Sequence, residues 1–379
     1  MTEFIFWFSL AGLVYVYLGY PVLVKVLAAL FPMRRERQLV DGQKVSVVIA
    51  CHNEAERIKN KLAVLLTSPQ ARFIDEVLIG SDGSSDDISE SVAALNDSRI
   101  RLVQFSERRG KPAVLNDLVP QCRSEIVVLC DARQILSDDA IPELIANFAD
   151  PKIGVVSGEL MFRQSSNDST AGRGIGAYWR YEKMIRRAEA QFRSVPGATG
   201  ALYAIRREAF RPIPDSTLLD DVVIPMVAVA QGWRCVFERN AIAWDDPSDS
   251  LGREAIRKRR TIAGAAQLII HHPSWLLPWK NPIWLEFVSH KIFRLVSPAL
   301  LVSVAVTNIL LLNEFPYSLL LLGQICFYYS AFAGWLCQKI GRPSSIFGVQ
   351  AMFLTLNATT VAALFDAMRG RFRVTWQRT

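Results

Sequence analysis

The chain has 379 residues, 51% of them hydrophobic, with 43 Lys and Arg against 36 Asp and Glu and a formal net charge of +7. That length supports one or two domains with a real core. Its six cysteines show no CxxC pair and no regular spacing, which fits a reduced compartment and neither a disulfide scaffold nor a zinc knuckle.

Residues 4–24 carry no charge, and about 20 apolar residues cross a bilayer core. Glu3 precedes this run, and Tyr20, Pro21 and Lys25 close it. Basic residues ahead of the run and a small-residue cleavage site are both missing, so residues 1–31 are expected to form an uncleaved transmembrane anchor. Arg34, Arg35 and Arg37 follow.

Residues 44–272 read as a soluble α/β domain. The run 45–50 is continuously apolar and β-branched, as a buried parallel strand should be. Asn53 with Glu56 predicts a capping box for a helix over 55–66. Strands are expected at 76–80, 100–105 and 125–130. Pro112 suits the first turn of a helix, and another helix is expected over 138–148. This alternation predicts parallel βαβ units, whose ligands bind beyond the C-terminal strand ends. Gly172, Gly174 and Gly176 form a lone cluster read as a loop. Pro196-Gly197-Ala198-Thr199-Gly200 is small enough for an acceptor to approach closely. Tyr178, Trp179 and Tyr181 read as packing groups. Asp220 is placed to cap a helix over 222–230. Arg257 and Arg260 are three apart and share a helix face. His271 and His272 end that helix before Pro273.

Trp275, Trp279 and Trp284 among Pro273, Pro278 and Pro282 predict an interfacial stretch over 273–294. Uncharged runs at 296–312, 315–338 and 343–365 place two or three transmembrane helices within 295–368. The last run holds Thr355, Asn357, Thr359 and Thr360, so full spanning, interfacial lying and re-entry are all open. Arg369, Arg371, Arg373 and Arg378 follow it. Basic clusters beside apolar runs answer to orientation and anionic headgroups, so no nucleic-acid partner is expected.

Acidic residues stand at three strand ends: Glu54 after the first, Asp82 after the second and Asp131 after the fourth. Converging carboxylates repel unless a cation or a hydrogen-bonding ligand sits among them. A metal–diphosphate fits, since Mg²⁺ or Mn²⁺ takes one or two carboxylates plus phosphate oxygens. No glycine triplet follows the first strand and no Walker loop occurs anywhere, so other nucleotide-binding fingerprints are missing.

These residues in this order resemble the family 2 glycosyltransferases of the GT-A fold, the group that includes cellulose, chitin and hyaluronan synthases. The resemblance covers about residues 44–272. Val45-Ser46-Val47-Val48-Ile49-Ala50-Cys51-His52-Asn53-Glu54 resembles the opening strand with its Asn-Glu. Ser81-Asp82-Gly83-Ser84 resembles Asp-Asp-Gly-Ser, with serine at the first acidic place. Gly110-Lys111 with Leu115-Asn116 resembles the Gly-Lys…Leu-Asn stretch. Asp131-Ala132-Arg133 stands where Asp-x-Asp is usual, and Arg257-Lys258-Arg259-Arg260-Thr261 stands where polymerising members carry Gln-x-x-Arg-Trp.

The resemblance implies an α/β, Rossmann-like, mostly parallel GT-A domain. It implies that Glu54 and Asp82 contact the nucleoside, that Lys111 lies near the nucleotide, and that Asp221, the second acid of the Asp220-Asp221 pair, is the catalytic base. Asp131 would be the metal ligand for Mg²⁺ or Mn²⁺. Arg133 in place of the second acid would face the diphosphate, together with Arg257 and Arg260. Gly197, Thr199 and Asp220 would line the acceptor side. The reaction follows from chemistry: a leaving diphosphate needs preplaced cations, and an attacking hydroxyl needs a carboxylate base. Direct attack with one base inverts the anomeric centre.

The leading expectation is an inverting transferase using a nucleotide-sugar, UDP-sugar favoured. Its acceptor would be a glycan or lipid, at the cytosolic face of a bacterial-type inner membrane, among partners in polysaccharide assembly. A glycolipid synthase and a non-catalytic nucleotide-sugar-binding assembly subunit are the alternatives.

Overall fold

A computed structural model describes residues 1–163, 170–246, 251–340 and 346–369, without the side chains of 170–178 and 251–258. Among the described residues one sheet has eight strands, ordered β3-β2-β1-β4-β7-β6-β8-β5. These are β1 (Val45–Cys51), β2 (Ile74–Asp82), β3 (Ile100–Phe105), β4 (Ile126–Cys130), β5 (Ile135–Leu136), β6 (Ile153–Phe162), β7 (Leu202–Arg206) and β8 (Arg234–Asp245). β3, β2, β1 and β4 run parallel. β7 lies antiparallel between β4 and β6.

This order decides where a ligand can sit. The C-terminal ends of β1, β2 and β4 open at one edge of the sheet. Because β7 is antiparallel, with Leu202 opposite Cys130, the residues before β7 arrive at that same edge. The central strands are buried along their whole length, β1 and β4 at every position, which is why they read as continuous apolar runs.

Three local expectations are corrected. The Ala55–Thr67 helix has no side-chain cap from Asn53 or Glu56. Its first N–H, that of Ala55, donates instead to Asp86 Oδ2 at 2.8 Å, and Asn53 Oδ1 accepts from Ser85 N at 2.8 Å. The glycine cluster at 172–176 lies inside the Thr170–Phe192 helix. Glycine costs about 1 kcal/mol in a helix, and packing overrides that. Asp220 begins its helix, Asp220–Ala230, instead of capping it.

Among the described residues four helices are long and apolar enough to cross a membrane: Thr2–Leu30, Trp284–Leu310, Tyr317–Lys339 and Gly348–Met368. The second starts inside the stretch expected to be interfacial, and the last is a continuous helix. Each of the first two contains one wider π turn, Tyr15–Gly19 and Val288–Ile292. These turns meet, with Tyr15 Oη and Ser289 Oγ 2.8 Å apart. All six cysteines are free, and Cys51, Cys122, Cys130 and Cys235 are buried.

Candidate functional site at the open edge of the sheet

At the end of β2, Asp82 has 0% exposure. Its two oxygens accept the N–H groups of Arg109 (2.7 Å) and Gly110 (2.8 Å). Gly83 makes this close approach possible: its φ is +60°, and a Cβ there would lie 2.8 Å from Arg108 N. In this arrangement both Asp82 oxygens accept backbone N–H groups of the following turn. It holds the turn that presents Lys111. Glu54 does reach the surface, where it pairs with Arg57 at 2.7 Å.

Lys111 is buried and draws two distant acids together. Its Nζ lies 2.8 Å from Asp131 Oδ1 and 3.2 Å from Asp220 Oδ2. Burial opposes the ammonium charge, but Asp131 and Asp220 outweigh it and hold the lysine well above its ordinary range. Asp131 stays about two-fifths exposed, so one carboxylate still faces solvent.

Asp221 follows directly on the helix. Burial, and then the charge of Asp220, push its carboxyl up to about 6, with Lys111 and Lys291 pulling the other way. The 196–200 segment wraps around it. Ala198 N donates to Asp221 O at 2.7 Å, and a Cβ on Gly200 would come 3.2 Å from Asp221 Oδ2. Gly197 and Thr199 thus lie beside Asp221. Thr199 N donates to Ser157 Oγ (2.9 Å), and Thr199 Oγ1 accepts from Arg186 Nη1 (2.7 Å). Ser157 and Arg186 carried no sequence signal, because only the fold brings β6 and the 170–192 helix here.

Other residues are placed differently. Arg133 pairs with the buried Asp245 of β8 at 2.5 Å, an acid that Gln134 Nε2 also approaches at 3.1 Å. Its charge is thus engaged with Asp245 at the sheet edge. The side chain of Arg257 lies outside the described residues, as do those of Lys258, Arg253 and Tyr178. Arg260 is half-buried, and its Nε finds no partner among the described residues. Arg259 pairs with Asp366 of the Gly348–Met368 helix at 2.6 Å. Trp179 meets Phe162 edge to face, and Tyr181 Oη donates to Tyr17 O at 2.9 Å, so both serve packing.

Among the described residues no three His, Cys, Asp or Glu side chains come together as a metal site. One exposed carboxylate, Asp131, beside Lys111 is a donor set that suits an ion arriving with its own phosphate oxygens. It does not suit an ion held by protein alone.

The family model described as "Glycosyltransferase like family 2" matches residues 42–264. The poly-beta-1,6-N-acetyl-D-glucosamine synthase of Staphylococcus aureus (strain COL) is 25% identical over 231 residues, 60% of this chain and 55% of that protein. Its counterpart from Staphylococcus epidermidis is 23% identical over 243 residues, 63% of this chain and 58% of that protein. The chain therefore spans little more than half the length of these relatives. Among solved structures, the mannosyltransferase PcManGT from Pyrobaculum calidifontis in complex with GDP-Man and Mn²⁺ superposes with a TM-score of 0.70. That match covers 97% of this chain and 99% of that one at 21% identity. The likeness shows the fold: an α/β GT-A domain flanked by apolar helices.

Proposed function

The chain belongs to the family 2 glycosyltransferases, and from that premise we propose that it transfers a sugar, with inversion, from a nucleoside diphosphate to a membrane-associated acceptor hydroxyl. The observation that carries this reading is the arrangement Asp131–Lys111–Asp220 with Asp221 next in the chain, all at the open sheet edge. Lys111 supplies a fixed positive charge where a leaving diphosphate gains negative charge. Asp221, raised to about 6, is ionised at neutral pH yet basic enough to accept a proton. It takes the proton from the acceptor hydroxyl while that oxygen bonds to the anomeric carbon. The carbon–oxygen bond to the diphosphate breaks, and its electron pair leaves with the diphosphate.

When bound, Mg²⁺ or Mn²⁺ supplies further Lewis-acid charge to the diphosphate, and Asp131 is the residue that would hold it. Glu54 and the turn held by Asp82 face the nucleoside. Gly197, Thr199 and Asp220 shape the acceptor side. The domain lies between Thr2–Leu30 and Trp284–Leu310 with basic residues at its flanks, which supports a cytosolic placement at an inner membrane. UDP-N-acetylglucosamine is the first donor to try, given the products named for the Staphylococcus relatives, and GDP-mannose the second.

The test incubates membranes containing the protein with labelled UDP- and GDP-sugars and asks whether label enters a lipid or polymer fraction. Label above that of membranes lacking the protein supports the reading. Nucleotide-sugar binding with no transfer from any donor favours a non-catalytic assembly subunit.

A further inference from the structure

The 170–192 helix and the Trp284–Leu310 helix meet through a buried charged network. Glu182 and Glu189 both turn toward His290, whose Nε2 lies 3.0 Å from Glu182 Oε2 and whose Nδ1 lies 2.8 Å from Glu189 Oε1. Arg294 Nη1 donates to Glu182 Oε1 at 2.5 Å, and Tyr20 Oη donates to Glu189 Oε1 at 2.6 Å. These contacts engage both carboxylates.

Two cations in the same place form no ion pair with a carboxylate among the described residues. Arg186 lies between Glu182 and Glu189 on its helix. Among the described residues its guanidinium donates to neutral oxygens alone: Thr199 Oγ1 and Ser157 Oγ at 2.7 Å each, and Gly197 O at 3.4 Å. Lys291 follows His290 in the π turn. It makes no hydrogen bond or ion pair with any described residue, although it is half-buried. The second oxygen of Glu189 has no donor among the described residues, so Lys291 does not reach it. Asp221 feels the fields of both cations. Glu182, Glu189 and Asp221 act on Lys291 only from beyond ion-pair distance, so its ammonium keeps donors open to an anion.

We propose that Arg186 and Lys291 form a subsite, beside Asp221, for a phosphate carried by the membrane lipid that accepts the sugar. This rests on the transferase reading and names its acceptor class. Lys291 sits near the start of a helix long and apolar enough to cross a membrane, and headgroup phosphates lie at the ends of such spans. Arg186 belongs to the soluble domain and reaches Thr199 and Gly197 beside the base. A headgroup phosphate held between the two would leave the lipid tail in the bilayer and set a nearby hydroxyl against Asp221. An ammonium binds such a group as a point charge. The Tyr20–Glu189–His290–Glu182–Arg294 chain fixes the two helices so that the pair keeps its spacing.

The test measures binding of dioctanoyl phosphatidic acid to the full-length protein in detergent, against dioctanoylglycerol and inorganic phosphate. Nucleotide-sugar binding is measured on the same preparations. The wild type should bind phosphatidic acid at least about tenfold more tightly than either control. Lys291→Gln should lose about tenfold or more, and Lys291→Arg should recover most of it. Unchanged binding by Lys291→Gln overturns the subsite, as does equal binding of dioctanoylglycerol. Inorganic phosphate bound as tightly as phosphatidic acid overturns the lipid assignment. Phosphatidic acid bound through Lys291 in a protein that binds no nucleotide-sugar would remove the transferase reading and leave this site standing.

Discussion

The Lys111 ammonium lies 2.8 Å from the Asp131 carboxylate, joining the start of one helix to the end of β4. The same Nζ is 3.2 Å from Asp220, so one lysine separates two acids that would otherwise face each other.

Lys111→Met should therefore destabilise the domain. Stripping a buried group from its partners costs up to about 3 kcal/mol, less here because Asp131 is partly exposed. The double variant Lys111→Met/Asp131→Asn should melt closer to wild type than Lys111→Met alone, since the repulsion is gone. Additive losses in thermal unfolding would show that the pair is not coupled.

Arg133 gives a second stability prediction. Because it pairs with buried Asp245, Arg133→Ala should lower the melting temperature by leaving that acid with less compensation. Nucleotide-sugar affinity should change by less than about threefold, within the range of a lost peripheral charge. A large loss of donor affinity at unchanged melting temperature would place Arg133 at the diphosphate after all.

The pH dependence follows from Asp221. Its carboxyl is raised from an ordinary 3.8 to about 6, so the neutral form is favoured in the folded protein. The stability this contributes is full below the unfolded value and is lost as pH rises through about 6. Asp221→Asn should accordingly be at least as stable as wild type at pH 8, with the difference vanishing near pH 4. Transfer by the wild type should fall on the acid side with a midpoint near the same value. Flat activity down to pH 5 would not fit a base with this carboxyl.

Metal dependence is checked with EDTA and add-back of Mg²⁺ or Mn²⁺. Transfer should stop and return, and Asp131→Ala should stay inactive in excess metal. Full activity in EDTA would leave Lys111 and Arg260 as the described cations available to the diphosphate.

The sequence made the open edge of the sheet legible because continuous β-branched runs such as Val45–Cys51 are hard to read as anything but buried strands, and acids at their ends stand out. Contacts between distant segments were not legible. Asp86 caps the Ala55–Thr67 helix from another loop, and nothing near Asn53 announces it. The true start of the second membrane helix was hidden by Glu286, His290, Lys291 and Arg294. Three of these charges find partners only in the fold, Glu286 with Arg193 and His290 and Arg294 with Glu182. Asp245, the partner of Arg133, lies on a strand far along the chain, so a lone arginine after Asp131 looked free.

The most direct test is transfer of labelled sugar by purified Asp221→Asn beside wild type, with nucleotide-sugar binding measured on both. The account predicts near-equal donor binding and transfer reduced by about 10²–10⁴. Near-normal turnover by a folded Asp221→Asn protein would contradict it.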